Sequence, residues 1–151
     1  MRIANDILIP ELARLLKEEK EVRFTPSGNS MRPFIEGEKD SVVLAPLNNP
    51  PRKGDILLAR VQVADRKTFV LHRVLRIEEN EQETIFVLQG DGNLQGEERC
   101  TIDEIIGIVK HVEYPSGRKK MHTSACLWQH LLPIRKYLLK IYRHTWLKWC
   151  Y

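Results

Sequence analysis

Ser30, His72 and Asp91 are the residues whose types and surroundings could do chemistry: an alcohol, an imidazole and a carboxylate, met in that order along the chain. A serine hydroxyl is almost wholly protonated at neutral pH, so it attacks a carbonyl only when a positioned base takes its proton. Histidine, titrating near pH ~6.5, suits that task. Its second ring nitrogen then needs an acceptor, usually a carboxylate, which fixes the tautomer and stabilises the imidazolium. Asp91 can supply that acceptor, and Glu97, Glu98 and Asp103 are rival carboxylates close behind it.

Each of these residues lies in a distinctive setting. Ser30 sits in Ser27-Gly28-Asn29-Ser30-Met31-Arg32-Pro33-Phe34. Gly28 permits a backbone with positive φ, and Pro33 stiffens the exit of the loop. Such a loop can expose a hydroxyl and aim backbone N–H groups at a developing oxyanion. Taken alone it also reads as a polar turn between strands. His72 lies in Leu71-His72-Arg73-Val74, and Asp91 in Gly90-Asp91-Gly92-Asn93, which is hairpin-turn chemistry as well.

In this order the segments resemble the signal peptidase I and LexA-like serine peptidase superfamily, whose members share Ser-Met-x-Pro around the nucleophile. The resemblance takes in Lys53-Gly54-Asp55-Ile56-Leu57-Leu58 and runs from about Phe24 to Val112. Where bacterial signal peptidases and LexA-like proteins usually carry a lysine base, this chain has His72, as in the branch resembling endoplasmic-reticulum and archaeal signal peptidases. In that branch a Gly-Asp-x-Asn segment carries an aspartate needed for activity, and Gly90-Asp91-Gly92-Asn93 matches it. The place of a second family acid is held by Glu97. The resemblance implies Ser30 as nucleophile, His72 as general base, Asp91 as its support, and no cofactor or metal. It further implies a precursor or leader peptide as substrate. A self-cleaving LexA-like regulator and a non-catalytic peptide-binding module on the same fold are the competing readings.

The elements that must position these groups are mostly strands. A histidine base needs less burial than a lysine, because its pKa starts near neutrality. Thr68 to Ile77 is apolar and β-branched, so Val70, His72 and Val74 should share one face while Leu71, Arg73 and Leu75 take the other, pointing Arg73 away from the site. Further strands are predicted at Val22 to Thr25, Ser41 to Leu44, Ile56 to Val63, Thr84 to Leu88 and Ile105 to Glu113. An amphipathic helix opens the chain at about Pro10 to Glu19, with Leu12, Leu15 and Leu16 on one face. The predicted class is mainly β: an antiparallel β-domain of the signal-peptidase/LexA-like kind with a short N-terminal helix and a C-terminal amphipathic helix. The expected division is a helix in residues 1–20, the β-domain in 21–113, a basic linker in 114–124 and a basic, aromatic helix in 125–151.

The 151 residues suffice for a single core. Charge divides the chain unevenly. Residues 1–113 hold 16 basic and 20 acidic residues, whereas 114–151 hold 8 basic and no acidic ones, together with all three tryptophans. In the tail, Leu127, Leu131, Ile134, Leu138, Ile141 and Tyr142 recur at helical spacing, with Lys136, Lys140 and Arg143 across from them. That pattern fits a helix lying in the interface of an anionic membrane, or equally one docked on the β-domain or a partner protein. Charges interrupt every window of about 20 residues, which argues against spanning. Nucleic acid is a poor fit, because only about 20 residues precede the strands, too few for a helix-turn-helix before the peptidase part. Cys100, Cys126 and Cys150 show no metal-like or redox spacing and read as free thiols in a reducing compartment. With no anchor or cleavable signal seen, the expected location is cytoplasmic, on the inner membrane face. Oligomeric state is left open.

Overall fold

The structure is a computed structural model that describes residues 5–120 and 131–149. It is mainly β: one antiparallel sheet of eight strands with a helix at each end. Helix α1 (Asn5–Lys17) precedes β1 (Val22–Phe24), β2 (Ser41–Ala45), β3 (Ile56–Val63), β4 (Arg66–Glu79) and β5 (Thr84–Gln89). Then come β6 (Glu98–Thr101), a 3-10 turn at Ile102–Glu104, β7 (Ile105–Glu113), β8 (Lys119–Lys120) and helix α2 (Leu132–Trp149). The strand order is β1-β2-β7-β3-β4-β5-β6, with β8 added beside β7.

Two apolar clusters use the two faces of this sheet. Side chains alternate across a strand, so Ile56 and Leu58 of β3 join a cluster under α1, together with Ile9, Leu12 and Leu16 of that helix. Leu57, Ala59 and Val61 face the other way and pack with Val74, Phe86, Leu88 and Cys100. The sheet curls enough that β6 approaches β3, and this second cluster fills the inside of the curl. Leu57 pairs with His72 and Ile56 with Arg73, so His72 belongs to the inner face and Arg73 to the α1 side. The alternation expected in β4 is present as far as Val74, where a bulge before Arg76 shifts the register and brings Ile77 back to the inner face.

Beyond shifts of one or two residues at other strand ends, the sequence expectation is corrected at three places. β4 begins at Arg66 because Ala64 and Asp65 close a two-residue hairpin, and the exposed strand ends tolerate Arg66 and Lys67. Residues 114–120, expected as linker, form a turn in which the Tyr114 N–H donates to Arg118 O, returning the chain to pair as β8 with Val112 and Glu113. α1 starts at Asn5 and carries Pro10 inside it instead of at its start, ending at Lys17 before the expected Glu19. The expected onset of the C-terminal helix at 125, with Leu127, lies outside the described residues, as do Cys126 and Cys150.

Candidate active site

Ser30 sits where the loop between β1 and β2 makes a single helical turn. The Phe34 and Ile35 amides both donate to Met31 O at 3.0 Å, which places Met31 and Ile35 on one side of the turn, and both are buried. Those two side chains plug the α1-side cluster and anchor the loop. The loop's entry is equally tight. Gly28 has φ 91°, and a Cβ at Gly37 would come within 1.8 Å of Gly28 O, so two chain segments cross where no side chain fits. The loop's exit is tied by the two-point contact of Arg32 with Glu36 and by the Glu36 N–H donating to Asp40 Oδ2 at 2.7 Å.

So held, Ser30 Oγ lies 3.0 Å from His72 Nε2. The imidazole is buried, and its other nitrogen, Nδ1, is 2.9 Å from Glu98 Oε2. With the carboxylate ionised, Nδ1 carries the proton and Nε2 is left as an acceptor facing the hydroxyl. This is the arrangement in which an imidazole can accept a proton from an attacking alcohol while a carboxylate steadies the resulting cation. Its members come from a loop, a central strand and the outermost strand of the sheet.

The carboxylate that meets His72 is thus Glu98, where Asp91 was expected. Asp91 is buried, but its carboxylate engages Arg73, with Nε to Oδ1 at 2.8 Å and Nη2 to Oδ2 at 2.7 Å. Arg73 also donates to Gly54 O at 2.7 Å and lies over the Phe34 ring. Arg73 therefore points to the opposite strand face from His72, as expected, yet it holds the turn that carries Asp91. Glu97, the residue at the place of a second family acid, pairs with Arg76 at the surface, and that contact lowers its pKa. Asp55 accepts from the Arg52 N–H at 2.7 Å and caps the turn into β3.

In the sequence Glu98 is one rival carboxylate among several. The strand that aims it carries no local signal, because Glu98-Arg99-Cys100-Thr101 has little apolar or β-branched character. β6 forms instead because Thr101, Cys100, Arg99 and Glu98 pair in register with Ile85 to Leu88 of β5. That register turns Glu98 and Cys100 to the same side. Cys100 is a free thiol in the inner cluster, and burial, followed by the nearby Glu104, pushes its pKa up to about 12.

A second group that sequence reading did not single out is Arg135 of α2. Its guanidinium is buried against the Gly90–Asn93 turn, where it donates to Gly90 O at 2.7 Å, Asn93 O at 2.8 Å, Asp91 O at 3.0 Å and the Gln89 side chain at 3.2 Å. Leu139, one turn further on, is buried as well. Tyr142 continues this face over the loop that carries Ser30, and burial together with the Glu36 carboxylate raises its phenol pKa. The tail helix is therefore docked on the β-domain. Among the described residues no group of three His, Cys, Asp or Glu side chains is placed to hold a metal ion. Comparison of the chain with family models, curated proteins and solved structures found no match.

Proposed function

We propose that the chain is a serine endopeptidase, similar in mechanism to the His-base signal peptidases that its motifs resemble. The observation that carries this reading is the continuous relay from Ser30 Oγ through His72 to Glu98, with both contacts at hydrogen-bond length. Ser30 attacks the scissile carbonyl carbon, and its proton passes to His72 Nε2. Glu98 holds the Nδ1 proton and balances the imidazolium. The tetrahedral oxyanion is met by backbone N–H groups of the loop, that of Ser30 among them. When it collapses, the C–N bond breaks and His72 hands its proton to the leaving amine, giving an acyl-enzyme on Ser30. Water then repeats the sequence with His72 as base, releasing the carboxylate product and restoring the alcohol.

The substrate class is a precursor or leader peptide, and the working location is a membrane surface approached from the cytoplasmic side. No helix among the described residues is long and apolar enough to cross a membrane. Support for peripheral contact comes from the outward face of α2. There Ile134, Tyr137 and Ile141 are 48%, 58% and 60% exposed, and the exposed basic residues Lys140, Lys136 and Arg143 follow round the helix on the Tyr137 side. An apolar stripe edged with lysine and arginine is the pattern that anionic headgroups attract.

A serine-directed phosphonate probe tests the catalytic claim. It should label the full chain at Ser30, read by peptide mass spectrometry, and leave folded Ser30→Ala unlabelled. A folded wild-type chain that takes up no probe overturns the peptidase reading.

A further inference from the structure

We propose that Arg135 is a positioning residue for the nucleophile, acting from α2 through the Gly90–Asn93 turn; the inference rests on the peptidase reading of Ser30. Three structural links carry it. The first is the bundle of contacts from Arg135 to the turn. A guanidinium offers five N–H donors in a fixed fork, and here they converge on the carbonyls of Gly90, Asp91 and Asn93 and on Gln89 Oε1. Arg135 is only 4% exposed, so its charge is taken out of water and set against backbone dipoles.

The second link is the contact between that turn and the nucleophile loop. The Gly92 N–H donates to Ser30 O at 2.7 Å. A Cβ at Gly90 would lie 2.5 Å from Ser30 O, and one at Gly92 would lie 3.1 Å from both Asn29 O and Arg32 O. The two backbones touch with no side chain between them, so a displacement of one is passed directly to the other.

The third link is electronic. The Asp91 carbonyl that accepts from Arg135 and the Gly92 N–H that donates to Ser30 belong to the same peptide unit. A cation at the oxygen end polarises that unit and makes its N–H a stronger donor. Arg135 thereby tightens the bond that fixes the Ser30–Met31 peptide plane, from which Oγ projects toward His72. The Arg73–Asp91 pair holds the other side of the turn, so the turn is gripped by two guanidinium groups, one through its carboxylate and one through its carbonyls.

The test compares the full chain with Arg135→Met and Arg135→Lys, using His144→Ala on the exposed side of α2 as a control. Two readouts are taken: amide hydrogen exchange at residues 29–34, and the rate of phosphonate labelling at Ser30. In folded Arg135→Met, exchange at 29–34 should rise while β3 and β4 stay protected, and labelling should slow about 10- to 100-fold, the range expected for small misplacement of a reacting group. Millimolar guanidinium should restore part of the labelling rate to this variant and none to Ser30→Ala. Unchanged exchange at 29–34, wild-type labelling, or slowed labelling that guanidinium leaves untouched each overturns the proposal. Should Arg135→Met fail to fold, Arg135→Lys is read by the same criteria. Failure of both to fold overturns it in favour of a purely structural role. If the wild type takes up no probe while exchange responds as expected, the peptidase reading fails and the grip of Arg135 on the loop stands.

Discussion

Asp91 and Arg73 meet through two parallel hydrogen bonds, with their side chains only 3% and 2% exposed, on the side of β4 opposite His72. An ion pair this deep is weak evidence for net stability, but breaking it is costly because the surviving charge stays buried. Asp91→Ala should therefore destabilise the fold by about 3–5 kcal/mol. The check is the urea midpoint. Replacing Asp91 and Arg73 together by apolar residues should recover a large part of the loss, whereas a carboxylate acting only on His72 would leave the midpoint unmoved.

Glu98 should behave in the opposite way. In Glu98→Gln the amide can donate to Nδ1, which favours the tautomer with its proton on Nε2 and leaves Ser30 without a base. A comparable loss of the orienting carboxylate in a Ser-His-Asp enzyme costs about 10⁴-fold in turnover. Labelling of Ser30 should fall by a similar order while the urea midpoint stays close to wild type, because Glu98 is only partly buried at the sheet edge. Normal labelling in Glu98→Gln would remove Glu98 from the mechanism.

Cys100 supplies the pH dependence. Its folded pKa is raised from 9.0 to about 12, so the native state holds the thiol protonated over a range in which the unfolded chain ionises it. The associated stability is fully present below about pH 9 and is lost as pH climbs toward 12. Cys100→Ala should flatten the alkaline limb of the stability profile between those limits. In the native wild type, alkylation at pH 8 followed by peptide mapping should leave Cys100 unmodified.

The outer stripe of α2 predicts binding to anionic lipid. Full-length protein should sediment with vesicles rich in phosphatidylserine and stay in the supernatant with neutral ones, and raised salt should release it. Replacing Ile134, Tyr137 and Ile141 together by serine should abolish sedimentation without slowing Ser30 labelling. Equal recovery from both vesicle types would remove the electrostatic part of the claim.

Ser30 and His72 were legible from sequence because each lies in a short segment with few competitors: a loop fixed by Gly28 and Pro33, and a strand whose alternation assigns His72 to one face. The carboxylate was not. Asp91, Glu97, Glu98 and Asp103 all follow within a short stretch, and the choice among them depends on the register between β5 and β6, set by pairing over four residues. Asp91 lies in the more distinctive motif, and the turn that carries it bonds to the Ser30 segment through Gly92 instead of reaching His72. Arg135 was hidden for a different reason. Among the tail's basic residues nothing local separates the one that turns inward from those that face water, and only the docking of α2 makes the distinction.

Glu98 and Cys100 stand two positions apart on β6, and the period of a strand puts them on one side of it. A slip of a single residue would turn both over together, swinging the carboxylate away from the imidazole and bringing the sulfur into water. The polypeptide thus carries its own gauge of alignment: a sulfur that stays closed to reagents reports that the outermost ribbon, and the acid on it, are in step.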